Sequence, residues 1–283
     1  DARQISDGSS GMTRGTRFVM AGFGNVGGQI ARVVQAEEDG RLEIAAIAAR
    51  DLEKARAKAE ALGLDVPIIT AAEALEHADI VVEASTYEGF RDVVEPALLA
   101  GGHVIAVSVG ALAVNLDLID LAEQHGATLQ IAGGTLPGLD ILRAASEGEI
   151  EEVRLFSSIL PRSLLHEAYI ADNGIDLARA ETEPVHVFTG SARDAARHFP
   201  RHFNVAVSLS LAGIGLERTN VQIHADGRLP GARHRIIIKG DAVALDMTSQ
   251  NLPSPENNRT SRIVAPSILA ALRALSAPLR VGS

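Results

Sequence analysis

Phe18-Val-Met-Ala-Gly22-Phe23-Gly24-Asn25-Val26-Gly27-Gly28-Gln-Ile30-Ala31 is a short apolar run that enters a cluster of glycines and leaves with helical spacing. That order reads as the strand-turn-helix of a dinucleotide site. Gly22 permits the tight turn, Gly24 lets a diphosphate approach the backbone, and Gly27 lets the helix pack closely on the strand. The helix N-terminus then offers free N–H groups and a positive dipole end to phosphate. Gly22, Phe23, Gly24, Asn25, Val26 and Gly27 are therefore predicted cofactor-binding residues. A glycine triplet alone is a weak signal, its alternative being a plain structural turn. Here it is followed by apolar positions at helical spacing (Val26, Ile30, Val33, Val34) and by a second strand, Leu42 to Ala49, completing a βαβ unit of about 30 residues.

Outward from this unit, short apolar runs alternate with helical stretches. Candidate strands are Phe18 to Ala21, Leu42 to Ala49, Pro67 to Ile69, Asp79 to Ala84, His103 to Ser108 and Thr128 to Ala132; candidate helices are Asp51 to Leu62, Ala71 to His77, Tyr87 to Ala100 and Asn115 to His125. This predicts an α/β, Rossmann-type, doubly wound parallel sheet. After the turn-rich Gly133-Gly-Thr-Leu-Pro-Gly138 and a helix from Leu139 to Glu147, the pattern becomes strand-like. Val153 to Leu160, Asn220 to Ala225, His234 to Lys239 and Val243 to Met247 predict a mostly antiparallel sheet, with a helix Phe203 to Ile214 buried against it. Ser261 to Leu275 has helical periodicity and is expected to return to the first lobe. The expected division is 12–134 plus 260–283 for the dinucleotide lobe and 135–259 for a second α+β substrate and oligomerisation lobe. Residues 1–11, a polar Gly/Ser leader, read as an expression-tag remnant.

The chain has 283 residues, 46% hydrophobic and 22% charged, with a net charge of −10 and no cysteine. Such an acidic chain argues against nucleic acid or an anionic membrane as partner and suits a small molecule. Without cysteine there is no disulfide, thiolate nucleophile or cysteine-bound metal. The longest apolar run, Val205 to Leu216, is too short and too interrupted to span a bilayer, so a cytoplasmic enzyme is expected.

Ligands of open α/β sheets lie beyond the carboxyl ends of the strands. After the second strand come Ala48-Ala49-Arg50-Asp51, with no acid at 48 or 49 to repel a 2′-phosphate and with Arg50 placed to pair with one, so NADP joins NAD as a candidate cofactor. A solvated Arg50 and an Asp51 that only caps the next helix are the alternatives. Ser85, Ser108 and Gly110 follow the fourth and fifth strands, where a nicotinamide ribose would lie. The Gly133 to Gly138 turn, with Gly138 as candidate, either approaches the nicotinamide or simply joins the lobes. His198 and His202 are spaced for one helix face, but Pro200 between them spoils a metal clamp, and no metal site is predicted. His234 opens the apolar strand Ile236-Ile-Ile238, at the mouth of which an imidazole can exchange protons near neutrality.

From Arg17 to Leu275 the residues resemble the L-aspartate dehydrogenase family. Gly133-Gly-Thr-Leu-Pro-Gly-Leu-Asp140 resembles its nicotinamide-side turn, Asn204-Val-Ala-Val-Ser-Leu-Ser-Leu-Ala-Gly213 its central helix, and Pro255-Glu-Asn-Asn-Arg-Thr-Ser261 its Asn-Pro-Lys/Arg-Thr-Ser segment. Pro230-Gly-Ala-Arg-His234-Arg-Ile236 is similar to the segment carrying the family's catalytic histidine. The resemblance implies His234 as general acid/base and Asn204 as a cofactor contact. There are departures. Ser158-Ile159-Leu160-Pro161-Arg162-Ser163 stands where the family usually reads Arg-Lys-Pro-Pro-Arg-Ser, Ala232 and Arg235 flank the histidine in place of Asn and Glu, and His202-Phe203 replaces Asn-Val. Two lost cations weaken the case for a dicarboxylate, with Arg162, Arg233 and Arg235 as candidate substitutes.

The resemblance implies an NAD(P)-dependent amino-acid dehydrogenase, L-aspartate leading, that releases or incorporates ammonia and is expected to be a homodimer. An NADPH-dependent imine or ketone reductase with a less charged substrate is one alternative. A cofactor-binding sensor without turnover is the other, which the retained histidine argues against.

Overall fold

The apolar runs of the first half become six parallel strands in the order β3-β2-β1-β4-β5-β6. The computed structural model describes residues 15–37, 39–200, 202–254 and 260–281; the expected remnant 1–11 and the 255–259 part of the Pro255 segment lie outside them. In chain order the first lobe comprises β1 (Thr16–Ala21), α1 (Asn25–Ala36), β2 (Leu42–Ala48), α2 (Leu52–Ala61), β3 (Ile68–Ile69), α3 (Ala74–His77), β4 (Ile80–Glu83), α4 (Phe90–Leu99), β5 (His103–Ala106), α5 (Asp117–Gln124) and β6 (Thr128–Ile131). The order reverses between β1 and β4, and ligands of such sheets bind at that switch point.

Side chains alternate across β1 because the strand period is two, and helices cover both faces, so every residue from Phe18 to Ala21 is buried. Phe18 and Met20 join Ile30, Ile47, Ile268 and Leu272 on one side; Val19 and Ala21 join Phe90, Val94 and Leu112 on the other. Each large side chain removed from water in this way contributes roughly 1.5 to 3 kcal/mol. The second of these clusters continues without a break into the second lobe through Leu155, Val207 and Ile236.

That lobe adds α6 (Leu139–Ala145), β7 (Ile150–Ile159), α7 (Pro161–Leu164), α8 (Ala168–Asp172), β8 (Val185–Ser191), α9 (Ala192–His198), α10 (Asn204–Ala212), β9 (Asn220–Ala225), β10 (Arg233–Gly240) and β11 (Ala244–Gln250). Its sheet runs β11-β10-β7-β9-β8, antiparallel except for the β7–β9 pair. The chain then returns as α11 (Val264–Ser276), which packs on α1 and β1. Two details differ from the sequence reading. The helix expected over Ala71 to His77 is a 3₁₀ turn, Ala71–Glu73, joined to α3. The helix expected to lie on the second sheet, α10, packs chiefly on the 3₁₀ segment Val109–Val114 of the first lobe and on α9 and α6, so it forms the seam between lobes. Its residues Ala206 to Ser210 are buried in succession, because it has neighbours all round.

Candidate active site

At Gly22 and Gly27 the turn has the tight backbone geometry that their spacing predicts. Gly22 has φ +96°, and a Cβ there would lie 2.4 Å from the Ala84 carbonyl, so both conformation and space demand glycine. A Cβ on Gly27 would lie 2.4 Å from the Gly22 carbonyl oxygen, which is the close helix-to-turn approach. Gly24 differs: a Cβ there meets nothing within 4 Å, leaving its face open. Gly24 also caps α1 without any side-chain cap, and no acid occupies the first turn. Asn25 accepts from Gln29 through Oδ1, while its Nδ2 is buried with no hydrogen-bond partner. An uncapped helix start, an open glycine face and an orphaned donor fit an anionic diphosphate. Phe23 is buried, and Lys58 of α2 lies 4.8 Å from its ring centroid and donates to the carbonyls of Phe23 and Gly24. Lys58 was not legible as part of the site, since in sequence it belongs to a charged, solvated helix.

Arg50 is exposed at the end of β2, while Asp51 caps α2 by accepting from Lys54 N at 3.0 Å. The turns after β4 and β5 are organised by Glu83, which is 0% exposed. Its carboxylate accepts from Ser85 N (2.8 Å), Ser85 Oγ (2.6 Å), Val107 N (3.1 Å) and Ser108 N (2.9 Å). A buried carboxylate is tolerable only when its lone pairs are used, and here their use ties the two turns together. Ser108 Oγ in turn donates to the Ser85 carbonyl. Asn204 stitches the lobes at this level: Oδ1 accepts from Gly110 N at 2.8 Å and Nδ2 donates to the Val107 carbonyl. Ser85, Ser108 and Asn204 line one hollow with Thr86, Tyr87, Glu88 and Pro200.

A cavity of about 330 Å³ opens between the lobes, with Val26, Val107 and Val109 on the first-lobe side and Ile159, Leu160, Ser163, His202, Asn204, Ser208 and His234 on the other. Gly133 to Leu136 form part of its wall, as do Asn251 and Pro253. Ser249 Oγ and Asn251 Nδ2 both donate to the Thr135 carbonyl and hold that wall together.

His234 sits at an inward position of β10, in register with Ser157 of β7. Ser157 Oγ lies 3.0 Å from His234 Nδ1, which leaves Nε2 as the other ring nitrogen. Burial drives the imidazole pKa down to about 4, so the ring is neutral at physiological pH. Ser157 carried a readable signal: it interrupts the apolar inward row Val153, Leu155, Ile159.

The structure separates several candidates from the cavity. Arg233 and Arg235 flank His234 on a strand, so they point to the opposite sheet face; Arg233 donates to Gln250, and Arg235 pairs with Asp246 over the Phe156 ring. Arg162 is exposed on α7, outside the cavity lining, whereas its neighbour Ser163 is in it. Gly138 is in the left-handed region, φ +73°, and the space a Cβ would need there is taken by Leu245, Met247 and Ile236, so its role is close packing under the second sheet. His198 joins the rings of Tyr169 and Phe188, whereas His202 pairs with Glu167 at 2.8 Å. Among the described residues no cluster of three metal-ligating side chains occurs, and no helix is long and apolar enough to cross a membrane.

Comparison with known proteins bears on both lobes. Residues 22–132 match the homoserine dehydrogenase NAD-binding domain, and 140–275 match the aspartate dehydrogenase C-terminal domain. The chain is 39% identical over 267 residues to an L-aspartate dehydrogenase of Bradyrhizobium diazoefficiens (94% of each chain) and 39% identical over 264 residues to L-aspartate dehydrogenase 3 of Bordetella bronchiseptica (93% of this chain, 96% of that one). In fold it is similar to the crystal structure of aspartate dehydrogenase from Thermotoga maritima, with TM-score 0.70 at 22% identity, covering 94% of this chain and 99% of the other.

Proposed function

The chain belongs to the L-aspartate dehydrogenase family, and from that premise we propose that it is an NAD(P)-dependent amino-acid dehydrogenase. The reaction interconverts L-aspartate with its imine, and then with oxaloacetate and ammonia. The observation that carries the reading is the convergence of the glycine-turn lobe and a neutral, oriented His234 on one cavity.

The turn from Gly22 to Gly27 would hold the diphosphate, Arg50 a 2′-phosphate, and the Glu83-organised turns the nicotinamide half. A bound nicotinamide dinucleotide supplies the hydride acceptor in oxidation and the hydride donor in reduction. His234 supplies the proton handling. In the oxidative direction its neutral ring accepts a proton from the water that attacks the imine and returns one as ammonia leaves; in reductive amination it does the reverse. The apolar wall of Leu136, Ile159 and Leu160 keeps bulk water from that exchange. The same wall favours a second reading, an imine or ketone reductase with a less charged substrate. One screen decides: oxaloacetate, other 2-oxo acids and neutral ketones, each with ammonia and with NADH or NADPH. Turnover of oxaloacetate well above the ketones supports the first reading; the reverse order overturns it. The outer face of the second sheet, on which Arg235 is exposed and Arg154 and Phe156 are half-buried, is the surface available to the expected homodimer, which sedimentation tests.

A further inference from the structure

Glu83 ends β4 with no exposed surface, and both of its carboxylate oxygens are taken up by neighbouring turns. Oε1 accepts from N and Oγ of Ser85, and Oε2 accepts from N of Val107 and N of Ser108. These bonds decide what the two serine hydroxyls can offer a ligand. Ser85 Oγ donates to Glu83 Oε1 (2.6 Å), the Thr86 carbonyl being its other acceptor in reach at 3.3 Å, and Ser108 Oγ donates to the Ser85 carbonyl (3.0 Å). A hydroxyl has one proton and two lone pairs. With both protons turned inward, Ser85 and Ser108 offer only lone pairs to the hollow they line. Residues 107 and 108 also divide two spaces: Val107 lines the cavity that holds His234, Ser108 lines the hollow, and Asn204 belongs to the lining of both. This partition is gripped from two sides. Glu83 holds the N–H groups of Val107 and Ser108 from the first lobe, and Asn204 Nδ2 holds the Val107 carbonyl from α10 at 3.1 Å.

Resting on the reading of the chain as a nicotinamide-dependent dehydrogenase, we propose that Glu83 is the positioning residue for the nicotinamide half of the cofactor. It fixes the Val107–Ser108 partition and sets the Ser85 and Ser108 hydroxyls so that they receive hydrogen bonds from the ligand and give none. The ligand chemistry this selects is a donor: a ribose hydroxyl or the carboxamide N–H of a nicotinamide nucleoside. Glu83 itself is fully buried and touches no ligand. An amide in its place does not reproduce the arrangement. With Nε2 toward Val107 and Ser108 a donor faces two donors; with Nε2 toward Ser85 the amide opposes the Ser85 N–H and turns the hydroxyl proton outward.

The test uses the full chain as wild type, Glu83→Gln, Ser85→Ala, Ser108→Ala and the double variant Glu83→Gln/Ser85→Ala. Calorimetry gives the Kd of NADH, of NADPH and of ADP, which carries the adenosine and diphosphate but no nicotinamide nucleoside, and a melting curve is recorded for each protein. For Glu83→Gln the expected result is a Kd of NADH and NADPH raised roughly ten- to a hundred-fold with the Kd of ADP within about two-fold of wild type, and each serine variant shifts the same ratio by roughly three- to ten-fold. The double variant binds NADH no more weakly than Glu83→Gln, because the Ser85 contact is already lost. A purely structural role lowers the melting temperature and leaves the ratio of NADH to ADP affinity where it was. That unchanged ratio in Glu83→Gln overturns the proposal, and so does an equal loss of ADP, which assigns the hollow to the adenosine end. If Glu83→Gln does not fold, Glu83→Asp, too short to hold both turns, is read in the same way. A wild type that binds ADP and NADH, shows these shifts and turns over no amino or oxo acid overturns the dehydrogenase reading and keeps the role of Glu83. A wild type that binds neither nucleotide overturns both.

Discussion

The glycine turn, which reaches the cavity through Val26, and the histidine wall on its other side are built by different means. The turn is six consecutive residues, Gly22 to Gly27, marked by open space at Gly24, close approach at Gly27 and a positive φ at Gly22. The wall is made by side chains from separate elements: Ser157 of β7, His202 before α10, Glu167 between α7 and α8, and His234 of β10. A backbone site tolerates loss of side chains and fails when one is added. A side-chain site fails by truncation and by anything that shifts the strands carrying it.

Adding an atom to the turn gives the largest effect expected. Gly24→Val should abolish measurable binding of both cofactors while the melting temperature stays nearly constant, because the space it fills is open in the folded protein. Calorimetric titration with NAD(H) and NADP(H) checks this, and unchanged affinity would remove the turn from the site. On the other side, His234→Ala should lower turnover by about 10² to 10⁴ with cofactor affinity little changed. Full activity at a reduced melting temperature would make His234 a packing residue.

The same histidine sharpens the contrast through pH. Above its ordinary value of 6.5 the imidazole is neutral in both folded and unfolded chains. As pH falls below that, the unfolded chain binds a proton that the buried ring refuses until about pH 4. Wild type should therefore lose roughly 2 to 4 kcal/mol of stability across that window relative to His234→Asn. Urea unfolding of both proteins at a series of pH values is the measurement, and parallel curves would contradict the burial argument. Arg50→Ala should weaken NADP(H) alone, by roughly 1.5 to 3 kcal/mol; an equal loss for NAD(H) would place the guanidinium away from a 2′-phosphate. The smallest effect belongs to Ser157→Ala, about 0.5 to 1.5 kcal/mol in the activation barrier from a less well-oriented ring, read as kcat with KM unchanged.

The contrast also explains what the sequence disclosed. All six strands of the first sheet were legible because each is a contiguous apolar run, and the turn because its glycines carry their meaning in spacing alone. In the second lobe β8 went unread: a register irregularity between His186 and Phe188 breaks its alternation. The start of α9 was marked by Ser191, which accepts from Asp194 N, yet its seven residues are too few to show a clear period. Arg233 and Arg235 are read as candidate substitutes for the two lost cations, although alternation along β10 turns them to the sheet face opposite His234. The Glu167–His202 pair joins residues 35 apart through a fold whose loops no local rule describes.

The return of α11 to the first lobe sets an order of events during synthesis. Ile268 and Leu272 complete the face containing Phe18, Met20 and Ile30; Thr16 Oγ1 donates to Ser276 Oγ at 2.9 Å, and Arg273 pairs with Glu37. About 230 residues separate the end of α1 from the start of α11. At translation rates of roughly 5 to 20 residues per second, that face waits on the order of ten to fifty seconds for its cover. Until Val264 and the residues after it have emerged, the apolar face of Phe18, Met20 and Ile30 is thus left without its α11 cover.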